Sequence, residues 1–461
     1  MRRQQPQSTT DANGATAFPL LTDPVSLSST PLFAENLRRG AKPTSEWMCG
    51  VELELIGYDA RRDYARLDPA QVQSVLTGFA PSSSNLVYED QTLVEVNAGQ
   101  MNRLTVEPGG QLEFSGAPQR SLFDVEREIK RFLTRLHEIA ASEGFAFLAA
   151  GFDPLRTLAE QHWFPKPRYR VMRPYLARRG ARAWDMMTRT CAVQTNLDYG
   201  DEIDLAKKFL AGNRLAPIVT AIFANSPFAD GGLSGYKSTR AAAWLNTDPD
   251  RCGISPPALA GEFTPEAFVA YALDVPMIFV QRDGRYSDAP SGSKFSDFLA
   301  HGGDVQPVFG DWADHLTTLF TDARLKQHLE LRSADGNDLS HTLALQAFWK
   351  GLLYDAPALD EALRLAPKLD HAAAHELRAA VARDALAAQV AGVDVRALAK
   401  ELINLAVEGL ARIAPAELPY LDMLRERIVE DGVCPADILL HNWRGSWHNS
   451  IARAVEYLRI A

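Results

Sequence analysis

The sequence predicts an α+β fold in which one sheet gathers strands from separate parts of the chain and the C-terminal portion is helical. Three observations predict it. Val51-Glu52-Leu53-Glu54-Leu55 alternates apolar and acidic side chains with the period of two that a half-buried strand requires. Leu104–Glu107 and Gln111–Ser115 repeat that alternation on either side of Pro108-Gly109-Gly110, which reads as a β-hairpin. From Leu343 to Ala411 the chain is rich in alanine and leucine at helical spacing, enough for at least three helices. Strands followed by helices, without a regular βαβ alternation, indicate α+β.

Taken in order, residues 1–20 read as a disordered polar tail and residues 21–461 as one domain, since no internal repeat or Pro/Ser-rich linker interrupts them. Val25–Arg39 has the composition of an entry helix, and Leu67–Phe79 of a short helix opened by Asp68-Pro69. Leu93, Glu95 and Asn97 alternate with Val94 and Val96, a further strand. Ser121 starts a helix whose apolar stripe (Leu122, Val125, Ile129, Phe132, Leu136, Ile139) runs to Gly144. Phe145–Phe152 reads as a buried strand, and Phe164–Arg182 as a strongly basic loop. Arg189–Tyr199 is a strand with Gln194 and Asn196 opposite Val193, Thr195 and Leu197. Glu202–Ala211 is helical, and Leu215–Ala224 is a second helical or buried run. Asp311–Phe320 is a helix or turn, and His328–Asp335 repeats the opening pattern with Glu330 and Arg332 opposite Leu329 and Leu331.

The 461 residues carry 48 basic and 58 acidic side chains, a net charge of −10 that argues against nucleic acid or an anionic membrane as partner. No apolar run approaches the ~20 residues needed to span a bilayer. The four cysteines (Cys49, Cys191, Cys252, Cys434) are widely spaced, so neither a zinc site nor a disulfide framework is expected. Parity places Cys191 among packing residues. The N-terminus has two arginines but no apolar core, unlike a secretory signal, and a cytoplasmic location is expected over a cleaved organelle-targeting peptide. Gly235-Tyr236-Lys237-Ser238 lacks the glycine spacing of a phosphate-binding loop.

Strand parity therefore offers Glu52 and Glu54, Glu107 and Glu113, Gln194 and Asn196, and Glu330 and Arg332 to one polar face. Like charges facing one another across strands are destabilising, and a cation offsets that cost. Oxygen ligands without a histidine cluster suit Mg²⁺ or Mn²⁺. Such ions together with an arginine serve phosphoryl transfer. One or two arginines of the basic segment, which includes Arg168 and Arg173, are candidates to meet a ligand's negative charge.

The chain resembles glutamate–cysteine ligases of the plant and proteobacterial type. The likeness is carried by Leu104–Pro118, Asp185–Tyr199, Ile222–Phe228, Tyr271–Met277, Asp311–Gly336 and Ala347–Asp355, and it extends from about Leu21 to the end. It implies a curved antiparallel sheet of the glutamine-synthetase-like kind with the site on its concave face, filling one catalytic domain. It implies the ATP-dependent joining of the L-glutamate γ-carboxylate to the amine of L-cysteine through γ-glutamyl phosphate, in a monomer or homodimer. By the same resemblance Glu52, Glu54, Glu107, Glu113 and Glu330 are the Mg²⁺ ligands and Arg332 stabilises the transferred phosphoryl group. Arg240 with Arg168 or Arg173 would hold the α-carboxylate of glutamate, Gln194 and Asn196 would contact substrate or metal-bound water, and Trp244 would wall the amino-acid pocket. One departure stands out. The family has Glu-His-Glu-Lys-Phe where this chain has Glu52-Leu53-Glu54-Leu55-Ile56, which leaves the acceptor amine open. The alternatives are a γ-glutamyl ligase with another acceptor or a non-catalytic regulatory homologue.

Overall fold

Ten strands form one sheet in the computed structural model, which describes residues 19–99, 102–289, 293–302 and 305–461. In chain order they are β1 (Cys49–Asp59), β2 (Ala65–Arg66), β3 (Leu86–Glu89), β4 (Thr92–Gly99) and β5 (Asn102–Val106). The others are β6 (Leu112–Ser115), β7 (Phe145–Leu148), β8 (Ala192–Leu197), β9 (Ala323–Leu325) and β10 (Leu329–Asp335). The spatial order is β9-β10-β8-β1-β6-β5-β4-β3, every pair antiparallel, and β2 and β7 extend the far end of β1. The predicted sheet is present, with the Val-Glu-Leu-Glu-Leu strand at its centre.

Burial explains the alternation. Val51, Leu53 and Leu55 are each at most 1% exposed and enter the main core, as do Leu104, Val106, Leu112 and Phe114. Helices Leu122–Glu143, Glu202–Ile222 and Leu339–Leu353 pack on the sheet, and Val395–Ile413 crosses the last of these. Both predicted helix starts are capped. Asp68 accepts from Ala70 N and Gln71 N, Ser121 accepts from Phe123 N, and left-handed Gly144 closes the second helix. Among the described residues no helix is long and apolar enough to cross a membrane.

Several expectations change in detail. The entry helix is shorter, Thr30–Arg38, and the strand expected over Phe145–Phe152 ends at Leu148. The two runs from Glu202 to Ala224 are one helix, Glu202–Ile222, running through Gly212 and Pro217. Gly212 meets a packing requirement: a Cβ there would lie 2.6 Å from Leu331 Cδ2 and 3.2 Å from Ala323 Cβ. The basic loop contains a helix, Pro167–Ala177, and a second helix, Ala183–Arg189, follows it. The helix or turn expected over Asp311–Phe320 is the helix Phe309–Leu316, which begins two residues earlier. Residues 1–18 of the expected tail lie outside the described residues, and from Pro19 the chain is anchored, with Gly310 N donating to Leu21 O at 2.7 Å.

Candidate active site

Strand register brings the acidic positions into rows. Glu54 pairs with Glu113 across β1 and β6, and Glu113 with Thr105 across β6 and β5. Glu52 pairs with Gln194 across β1 and β8, and Asn196 with Glu330 across β8 and β10. Glu107 lies just beyond β5, where its N–H donates to Gln111 O at 2.9 Å and fixes the start of the hairpin turn.

These rows floor a cleft of about 300 Å³. Glu52, Glu54, Glu107, Glu113, Gln194 and Arg332 line it from the sheet. Arg168 and Tyr169 enter from helix Pro167–Ala177, Met186 and Met187 from Ala183–Arg189, and Arg240 and Trp244 from Thr239–Trp244. Arg324 and Lys326 close one side.

Each carboxylate has a distinct set of partners. Glu54 accepts from Ala192 N at 2.8 Å and Gln194 Nε2 at 3.1 Å. Glu52 accepts from Asn196 Nδ2 at 2.8 Å, and Glu113 from Thr105 Oγ1 at 3.0 Å. Burial, and then their acidic neighbours, raise all three. Glu52 is pushed up to about 7 by burial, Glu330 and Glu113. Glu54 is pushed well above the usual carboxylate range by burial, Glu107 and Glu113, and Glu113 is raised by burial and Glu107.

Glu330 behaves in the opposite way. Arg324 grips it through Nε at 2.9 Å and Nη2 at 2.6 Å, Lys326 Nζ lies 3.0 Å away, and Arg332 also bonds to it. Burial opposes its charge, but Arg324, Lys326 and Arg332 outweigh burial and hold the carboxyl well below the usual range. Arg332 also donates to Gln194 Oε1 at 2.6 Å, so Gln194 ties Arg332 to Glu54.

Most sequence-predicted site residues therefore meet, in two different ways. Glu52, Glu54, Glu107, Glu113, Gln194, Arg168, Arg240, Trp244 and Arg332 line the cleft, while Glu330 and Asn196 sit behind it, holding Arg332 and Glu52. Arg173 is not brought there. It is exposed, with its guanidinium 4.2 Å from the Trp163 ring centroid and 5.0 Å from that of Trp184. Arg168 faces inward instead, and its Nε, like Trp244 Nε1, is buried without a hydrogen-bond partner in the protein. Cys191 is fully buried, and burial pushes its thiol well above the usual range, as expected of a packing residue. Sequence reasoning missed Arg324 and Lys326, although Ala323-Arg324-Leu325-Lys326 alternates just as the other strands do.

Among the described residues no three Asp, Glu, His or Cys side chains close into a metal-ligating group. The donor chemistry on the face is nonetheless all oxygen, and the raised Glu52, Glu54 and Glu113 mark an excess of negative charge. Both properties fit a hard divalent cation.

Carboxylates facing guanidinium groups across a cleft are a set of groups suited to an enzyme of phosphoryl groups and carboxylate substrates. The profile of glutamate-cysteine ligase family 2 matches residues 48–457. The chloroplastic glutamate–cysteine ligase of Nicotiana tabacum is 36% identical over 451 residues, covering 95% of this chain and 85% of that one. The chloroplastic enzyme of Arabidopsis thaliana is 36% identical over 447 residues, with the same coverage. A solved glutamate–cysteine ligase of Francisella tularensis, in complex with AMP, shares the fold at TM-score 0.52 and 14% identity, over 89% of this chain and 88% of that one. The chain belongs to the glutamate–cysteine ligase family, and its activity is that of a glutamate–cysteine ligase. The expected cytoplasmic location is corrected by these relatives, whose names place them in the chloroplast.

Proposed function

We propose that this cleft joins the γ-carboxylate of L-glutamate to the amine of L-cysteine, with Arg168 and Arg240 holding the α-carboxylate of glutamate and Arg332 facing the transferred phosphoryl group. The observation that carries the reading is the joint placement of Glu52, Glu54, Glu107 and Glu113 with Arg168, Arg240 and Arg332 around one cleft, Arg168 with unspent donor capacity. Arg168 Nε is buried without a partner in the protein, and Arg240, only 5% exposed, lines the same cleft with Nη2 donating to Arg332 O.

Mg²⁺ would be held by Glu52, Glu54, Glu107 and Glu113, where it would supply charge neutralisation for the β- and γ-phosphates of ATP. Glu330, among the predicted ligands, is engaged by three cations and serves on this reading to orient Arg332. Gln194 keeps Arg332 and Glu54 in register. Guanidinium groups bind carboxylate and phosphate bidentately, which fixes the glutamate chain for attack of its γ-carboxylate on the phosphoryl group. The acyl phosphate is then open to the acceptor amine, and no protein nucleophile is needed. Trp244 and Phe320, whose rings lie 5.7 Å apart, wall the amino-acid end, with Met172, Met186 and Met187 nearby.

The test is to incubate the full chain with glutamate, ATP, Mg²⁺ and a panel of amines and to follow phosphate release. Cysteine is expected to exceed every other amine; equal release with all of them overturns the acceptor assignment. Absence of turnover with any amine would favour a regulatory homologue.

A further inference from the structure

Asp335, at the end of β10, is fully buried and does not line the cleft. Its two oxygens reach one short helix, Thr239–Trp244, by separate routes. Oδ1 accepts from Ser238 Oγ at 2.8 Å, and that hydroxyl caps the helix by accepting from Ala241 N at 3.0 Å. Oδ2 accepts from Ser226 Oγ at 2.6 Å and from Asn225 N at 2.9 Å, and the Ser226 hydroxyl accepts from Arg240 N at 3.3 Å. Both routes end on the backbone that carries Arg240. The guanidinium of Arg240 then returns to the same strand, where Nη2 donates to Arg332 O at 2.7 Å.

An irregular register on β10 makes this closed loop possible. Leu331 opposes Thr195 and Ala334 opposes Val193, so two residues stand where one would fit. The shift reverses parity, and Asp335 emerges on the side of Glu330 and Arg332, opposite Ala192. Regular alternation would have sent it with Leu329 and Leu331.

We infer that Asp335 is a positioning residue for Arg240, acting through Ser226 and Ser238 to fix the helix that aims this guanidinium at the substrate carboxylate. The inference rests on the reading of Arg240 as a carboxylate anchor. A buried carboxylate that accepts three hydrogen bonds from two segments holds them more rigidly than apolar packing would. Loss of one arm tilts the helix and misplaces the guanidinium without removing it.

The experiment measures KM for glutamate and for ATP, together with urea melts, on Ser238→Ala, Ser226→Ala, Asp335→Asn and Arg240→Ala. Each serine variant is expected to raise the glutamate KM on the order of tenfold, the cost of one charge-assisted hydrogen bond, and to leave the ATP KM unchanged. The two serine variants keep the test open should Asp335→Asn fail to fold. Glutamate and ATP KM values rising together, or neither rising, overturns the positioning role. Arg240→Ala separates the two readings. An unchanged glutamate KM in that variant removes the anchor itself, whereas a raised one beside silent serine variants removes only the role of Asp335.

Discussion

Glu330 carries its own compensation, whereas Glu52, Glu54 and Glu113 do not. Three cationic side chains surround Glu330, and the same residue types in sequence order gave no hint of that difference. Parity made the shared face legible, because a period-2 strand sends alternate side chains to one side whatever its partners are. It did not show which cations meet Glu330, although all three lie within six residues of it, because Arg324 comes opposite Glu330 only through the pairing of β9 with β10. Glu330→Gln is accordingly expected to lower ADP formation by on the order of a hundredfold, with cooperative unfolding in urea retained. Turnover at the native rate would contradict the orienting role. Arg168 and Arg173 make a sharper pair, five residues apart in sequence and equal by composition. Arg168→Ala should raise the glutamate KM by roughly tenfold or more, the worth of charge-assisted hydrogen bonds. Arg173→Ala, which loses only stacking on Trp163 and Trp184, should leave it unchanged. Steady-state kinetics on the two variants decides between them, and a reversed pattern would return Arg173 to the site.

At the scale of elements, the strands and capped helices were readable because their signals are local. Asp68 and Ser121 cap the helices they were expected to open, and Pro108-Gly109-Gly110 turns the hairpin between β5 and β6. One difference arose where a glycine serves a tertiary contact. The runs Glu202–Ala211 and Leu215–Ala224 were expected to be separate, yet the helix Glu202–Ile222 joins them through Gly212, which admits Leu331. A second such contact joins Leu339–Leu353 to Val395–Ile413. A Cβ on Gly351 would lie 2.3 Å from Ala406 O, and one on Gly409 would lie 2.0 Å from Gly351 O. Backbone faces backbone there, so no side chain can move aside. Gly351→Ala is expected to cost about 3 kcal/mol by overpacking, read as a lower urea midpoint at unchanged slope. A midpoint equal to that of the parent chain would show that the helices part freely. Since Leu339–Leu353 also packs on β1 and β8, turnover should fall along with stability.

For the molecule as a whole, the carboxylate face ties stability to pH and, on the proposed reading, to a divalent cation. Glu52 is raised from 4.5 to about 7, and Glu54 and Glu113 move in the same direction. A carboxyl raised on folding binds more protons in the folded chain than in the unfolded one within that window, so stability falls as pH rises through it. The contribution is fully present below about 4.5 and lost once Glu52 ionises near 7. Glu330 has the opposite sign, because its lowered carboxyl adds stability that disappears only in acid, well below 4.5. Glu52 therefore lowers stability as pH rises between about 4.5 and 7, with Glu54 and Glu113 acting in the same direction. His315 and His328, lowered by burial from 6.5 to about 3 and about 4, act with the opposite sign up to about 6.5. A divalent cation takes the ionised carboxylates, so its binding competes with protons and stabilises most where they are already lost. Thermal melts in a chelator should show the melting temperature declining from pH 5.5 to 7.5 relative to that of Glu52→Gln, which shares the titration of His315 and His328, and millimolar Mg²⁺ should raise it more at pH 7.5 than at 5.5. Glu54→Gln should flatten the slope in chelator and shrink the Mg²⁺ effect, because it removes one of the facing charges. If Mg²⁺ shifts the melt equally at both pH values, or not at all, then these glutamates do not form the cation site, and their mutual repulsion is borne by the fold alone.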